Sequence, residues 1–185
     1  WGERDVIVNA LWNSYSQVLD IRIQGEAEDY ILWDAIDIRN SFKPPAPPAS
    51  EHLCIAALIL EGAVSDLVSA NWDTFIEQAV DQLSGDAETL LKVVVEPNQL
   101  RREHGRARLL KFHGCIKHAD DEPETFRKYL TGSTSQITDW PNNLLFAAVR
   151  NEFVSIATTK KALVMGLSLQ DQNLHQIISI AKNTH

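Results

Sequence analysis

At 185 residues, with 44% hydrophobic and 23% charged side chains, the chain has the size and composition of one globular domain with a sizeable core. Its formal charge of -8 argues against nucleic acid or an anionic membrane as a direct partner, because either needs a basic face. Cys54 and Cys115 are too few for a disulfide framework, and no CxxC pair offers a structural zinc site, so a reducing, cytoplasmic compartment is expected.

No apolar run approaches the length of a membrane span and no signal peptide is visible. The first residue is Trp1 rather than Met, which reads as the start of a fragment. Residues 1–42 read as a mainly helical segment or insertion, with Val6, Ala10, Leu11 and Val18 at roughly helical spacing. Residues 43–50 hold Pro44, Pro45, Pro47 and Pro48, which suit neither helix nor sheet interior and read as an extended connector. From 51 to 185 the pattern alternates strand and helix.

In that third part, residues 53–60 form an apolar helix that Gly62 ends. Residues 66–70 read as a short buried strand. Thr74 and Glu77 have capping-box spacing, and Ile76, Ala79, Val80 and Leu83 follow at i, i+3, i+4 and i+7. Residues 92–95 and 109–112 read as a second and a third strand. Pro141 fits the first turn of a helix whose core face is Leu145, Val149, Phe153 and Ile156. Residues 162–165 read as a fourth strand, and Asp171 caps a last helix with Leu174, Ile177, Ile178 and Ala181 inward. Strands alternating with amphipathic helices predict an α/β fold, a Rossmann-like parallel sheet with helices on both faces.

Three of these strands lead into loops with polar chemistry: Asn71-Trp72-Asp73, His113-Gly114, and Gly166-Leu167-Ser168. Open α/β sheets bind ligands at the carboxyl ends of their strands, so the three loops are expected to face one cleft. With Thr74 and Glu77 assigned to the helix cap, Asn71 and Asp73 remain in the turn. An asparagine amide both donates and accepts, which suits a ribose hydroxyl or a water; turn backbone groups are the competing partners. His113 can move a proton near neutral pH, and Gly114 would admit a ligand close to the backbone; a core histidine bonded to a neighbouring carbonyl is the other reading. His52, His104, His118 and His175 read as solvated surface, and no metal site is assigned. The stretch from Arg101 to Lys111 reads as a solvated loop and strand edge rather than a binding stripe. The Gly166 loop precedes a helix N-terminus, which attracts phosphate, although Asp171 opposes an anion there and makes a sugar hydroxyl an equal partner.

Taken together, Ser69-Ala70-Asn71-Trp72-Asp73-Thr74-Phe75-Ile76-Glu77, Lys111-Phe112-His113-Gly114, and the run from Met165 through Gly166, Ser168, Asp171 and Asn173 to Leu174 resemble the sirtuin-like superfamily. The branch they are most similar to is the prokaryotic one of antiphage-defence proteins that hydrolyse NAD. The resemblance covers roughly residues 53–181. It implies a Rossmann-like domain with NAD as substrate, Asn71 and His113 at the catalytic positions, and Asp73, Gly114, Gly166 and Ser168 shaping the nucleotide cleft. It further implies antiphage defence by NAD depletion, with self-assembly or other domains of a larger defence protein as partners. Two departures accompany it. The superfamily's Gly-Ala-Gly-x-Ser phosphate loop has no match before Asn71, so the sheet is expected to be incomplete at its N-terminal end. The four zinc cysteines of classical protein deacylases are also missing, which lowers NAD-dependent deacylation below hydrolysis. A non-catalytic module that binds NAD or ADP-ribose, or serves assembly, is the remaining alternative.

Overall fold

Three short strands, β1 (Asp66–Ser69), β2 (Leu91–Val94) and β3 (Ala107–Lys111), form a parallel sheet in the order β1-β3-β2. Leu67 of β1 and Val93 of β2 both stand beside Leu109 of the central strand. The computed structural model describes residues 2–41, 47–101, 105–166 and 172–184. Parallel neighbours need crossovers, and helices supply the cover on either face. The principal helices are α1 (Gly2–Asn13), α2 (Ser50–Leu60), α3 (Phe75–Ser84), α4 (Ile116–Asp121), α5 (Thr134–Asp139), α6 (Ala147–Thr159) and α7 (Gln172–Thr184).

The side-chain period of two divides the strands between two cores. On one face Leu91, Ala107 and Leu109 meet Ala56 and Ile59 of α2 and Ala79 and Val80 of α3. On the other, Val94, Leu110 and Phe112 meet Ile116 and Ala119 of α4, Val149 and Phe153 of α6, and Leu174 and Ile177 of α7. The expected Rossmann-like α/β arrangement, a parallel sheet covered on both faces, is therefore the one observed. The larger core also takes in Leu32, Trp33 and Ile38 from the N-terminal segment. That segment is mainly helical, with a π-helical turn at Ile31–Ala35 and turns over residues 19–29. Its apolar pattern misleads, however: Val6, Ala10 and Leu11 lie exposed on α1, and the residues that reach the core come later.

The amino-terminal ends of the strands are pinned by charge. Arg108 bonds both Asp66 and Glu152 of α6, and Lys160, just past α6, bonds Asp66 again. Burial pushes the Asp66 carboxyl up, but hydrogen bonds from Lys160, Arg108 and Ser65 prevail and hold it at about 2.

Several expectations need correction. Residues 161–165 form no strand, and Leu163, Val164 and Met165 are 75%, 55% and 53% exposed. A short apolar run becomes a strand only where a neighbour completes its hydrogen bonds, and among the described residues none pairs with it. Pro141 sits in a turn rather than in a first helical turn. The chain enters a 3₁₀ turn at Leu144–Phe146, where Asn143 accepts the Leu145 N–H, before α6 begins. On α7 Ile178 is exposed, and among the described side chains Asn173, Leu174 and Ile177 are buried. The Asp171 cap and the first half of the proline connector (residues 43–46) fall outside the described residues.

Candidate active site at the sheet edge

β1 and β3 are adjacent and parallel, so the loops that follow them emerge side by side at the same sheet edge. The β1 loop carries Asn71, exposed, and Asp73, half-buried. The β3 loop carries His113, 5% exposed, and buried Gly114. The Ile116 N–H at the start of α4 donates to the Trp72 carbonyl at 3.0 Å, which ties the two loops together.

The first loop is not built as its spacing suggested. Thr74 is the N-cap of α3, but its side chain caps no backbone amide; its hydroxyl accepts from Gln78 Nε2 at 2.6 Å. The turn is closed instead by Asp73, whose Oδ1 accepts the Phe75 N–H at 3.1 Å, an Asx turn. The Asn71 N–H donates to Ser69 Oγ at 3.1 Å. Glu77 leaves the helix end altogether and pairs with Lys111 Nζ at 2.6 Å. The capping-box spacing is real, but a tertiary partner claimed the glutamate.

In the second loop His113 lies between aromatic rings, 4.2 Å from Phe112 and 6.1 Å from Trp140, centroid to centroid. Its carbonyl accepts the Thr131 N–H at 3.0 Å. Trp140 is itself held by donating Nε1–H to the Phe112 carbonyl at 3.1 Å. Gly114 has φ +94°, and a Cβ there would stand 2.7 Å from the Tyr129 carbonyl oxygen. The close approach that glycine permits here is by the chain's own backbone.

Residues 123–136 and the N-terminal segment complete the surroundings. Trp72 and Leu19 both pack beside Gly132. Asp20 accepts the Ser135 N–H at 2.9 Å, and Arg127, stacked 4.7 Å over Trp33, forms a two-pronged pair with Asp29 at 2.5 and 2.8 Å. A cavity of about 640 Å³ opens between these parts, with Arg22, Asp29, Arg127, Thr131 and Gln136 among its lining.

The third loop stands apart. Gly166, at φ +66° with none of the described residues near its Cβ position, ends the exposed 161–165 segment rather than a strand. Unlike Asn71 and His113, Gly166 follows no strand. Ser168 lies outside the described residues.

Sequence reasoning missed several residues. Lys111 belongs to the stretch read as solvated, yet its side chain is 2% exposed. Its signal was a lone charge inside an apolar run that ends in His-Gly. His118, read as surface, packs edge-on against Phe126 at 4.9 Å. Burial, then the charges of Lys111 and Lys117, push its imidazole down to about 4. His52 also has a role, accepting the Ala49 N–H at 3.2 Å at the start of α2. Among the described residues no group of three His, Cys, Asp or Glu side chains is placed to hold a metal. No described helix is long and apolar enough to cross a membrane.

The model of a family described as a SIR2-like domain matches residues 65–185, more than half of the chain and all three loops. No curated protein matches it significantly. The chain belongs to the SIR2-like domain family, whose members are often NAD-utilising enzymes.

Proposed function

We propose that this SIR2-like chain is the NAD-cleaving part of an NAD glycohydrolase, which breaks the bond between nicotinamide and ribose to give nicotinamide and ADP-ribose. The observation that carries the reading is the pairing of loops: an exposed carboxamide and an imidazole follow adjacent parallel strands and share one edge. That is where open α/β sheets take their ligands. The donor set fits NAD, since an exposed amide beside an imidazole suits ribose hydroxyls and a water nucleophile.

The leaving nicotinamide is already cationic, so positive charge develops on the ribose and little acid catalysis is needed at the nitrogen. Asn71 orients the ribose or the attacking water. His113 takes the proton from that water or holds a ribose hydroxyl, a role worth on the order of 10²–10⁴ in rate. Asp73 acts through the turn it closes at the Phe75 amide, which fixes the backbone from which Asn71 projects. Gly114 keeps the His113 loop against Tyr129, and Gly166 and Ser168 serve the adenosine or phosphate side. The three-block resemblance supports antiphage defence by NAD depletion as the setting, with self-assembly or further domains supplying activation.

The burial of His113 favours a second reading, a module that binds NAD or ADP-ribose without cleaving it. The test is nicotinamide release by the intact, activated protein. Asn71→Ala and His113→Ala are each expected to lower it a hundredfold or more. A folded His113→Ala protein that cleaves NAD at the wild-type rate overturns the catalytic assignment. Wild type that binds NAD but releases no nicotinamide leaves the binding module.

A further inference from the structure

Lys111 closes β3 with its ammonium group buried where three segments meet. Its Nζ donates to the Asp73 carbonyl of the β1 loop, pairs with Glu77 Oε1 of α3 at 2.6 Å, and reaches Cys115 Sγ, the N-cap of α4, at 3.6 Å. An ammonium has three donors, and all three are engaged. Two of these partners belong to the loops that carry Asn71 and His113.

Stability alone is a poor explanation for such a pair. Removing two charges from water costs more than their attraction returns unless the remaining lone pairs are also satisfied. Here Glu77 Oε2 is buried without a hydrogen bond among the described residues. An apolar pair of similar volume would hold α3 against β3 at least as well. It would not hold the Asp73 carbonyl or fix the loop's register against the start of α4, because apolar contacts lack direction.

We infer that Lys111, charge-paired with Glu77, is a positioning residue that locks the Asn71 loop to the His113 loop so that both present their side chains to one substrate. The catalytic half of this inference rests on the NAD-cleavage reading; the locking half rests on geometry alone. Lys111 touches no reacting atom and acts only through the backbone of the two loops.

The test uses the full protein carrying Lys111→Met together with Glu77→Leu, which removes both charges and strands neither. Amide hydrogen exchange reads the lock directly. The Phe75 amide, held by Asp73, and the Ile116 amide, held by the Trp72 carbonyl, are expected to exchange at least tenfold faster, with Leu110 in β3 unchanged. Nicotinamide release is expected to lose tenfold or more in kcat with KM within threefold, since misplaced groups affect the transition state before they affect binding. Loop amides that keep wild-type protection overturn the inference, as does equal loosening of loops and β3, which marks a merely structural pair. Local loosening with an unchanged kcat overturns its catalytic half. Local loosening in a protein whose wild type never cleaves NAD upholds the lock and removes the NAD-cleavage reading instead.

Discussion

The loop pair after β1 and β3 and the segment 161–166, which ends where the third family motif begins, are built differently. The pair stands on paired strands, is crossed by the Ile116–Trp72 hydrogen bond, and is underlain by a buried lysine with all its donors used. The third segment has its apolar side chains exposed and no described residue packed against its glycine. A motif residue held by packing has its geometry set by the chain itself. One on an unpaired, exposed segment depends on whatever comes to cover it. The difference separates residues whose placement is intrinsic from those whose placement is conditional.

Core truncation breaks the comparison most strongly. Phe112→Ala, in contact with His113, Trp140 and Phe153, should cost about 3–5 kcal/mol in denaturant unfolding. Leu163→Ala, on the exposed segment, should stay within about 0.5 kcal/mol. Equal costs would mean that residues 162–165 are packed after all.

The two glycines sharpen it at closer range. Gly114→Ala combines a left-handed backbone with a 2.7 Å approach to the Tyr129 carbonyl and should cost about 2–4 kcal/mol. Gly166→Ala meets no neighbour among the described residues and should cost only the backbone penalty, about 1–2 kcal/mol. Parallel urea titrations of the two variants give the difference.

A pH dependence is also expected to be confined to the packed region. Burial and nearby lysines hold His118 down to about 4, against 6.5 in an unfolded chain. Below 6.5 the unfolded state therefore takes up a proton that the folded state refuses. The His118 contribution is complete above about pH 6.5, is lost as pH falls towards about 4, and is level below that. The loss should reach about 2 kcal/mol once residual exposure is allowed for. Unfolding midpoints at pH 7 and 5 should differ less in His118→Gln than in wild type; an identical difference would remove His118 from the account.

What was legible in the sequence follows the same division. β1 and β3 were readable because each is an apolar run cut short by a polar loop, and the helix of α2 because eleven residues pass without a breaker before Gly62. The fourth strand was not, because residues 162–165 carry a strand's composition while strand formation depends on a neighbour that local pattern does not encode. Thr74 and Glu77 showed the right spacing for a cap, yet the buried Lys111 outcompeted the helix end for the carboxylate. Lysine in a strand reads as surface because burial depends on a partner 34 positions away. The N-terminal segment misled similarly: the helical spacing of Val6, Ala10 and Leu11 describes an exposed helix, and the residues that enter the core are Leu32, Trp33 and Ile38.

The central claim, that Asn71 and His113 work as one site on NAD, is tested most directly by a double-mutant cycle on nicotinamide release by the intact, activated protein. Groups that act together are strongly non-additive. Asn71→Ala/His113→Ala should then lose little more activity than the more damaging single change, with each single variant down about a hundredfold or more. Losses that multiply, so that the double variant falls by the product of the two single effects, would show that the two residues act independently and would contradict a shared site.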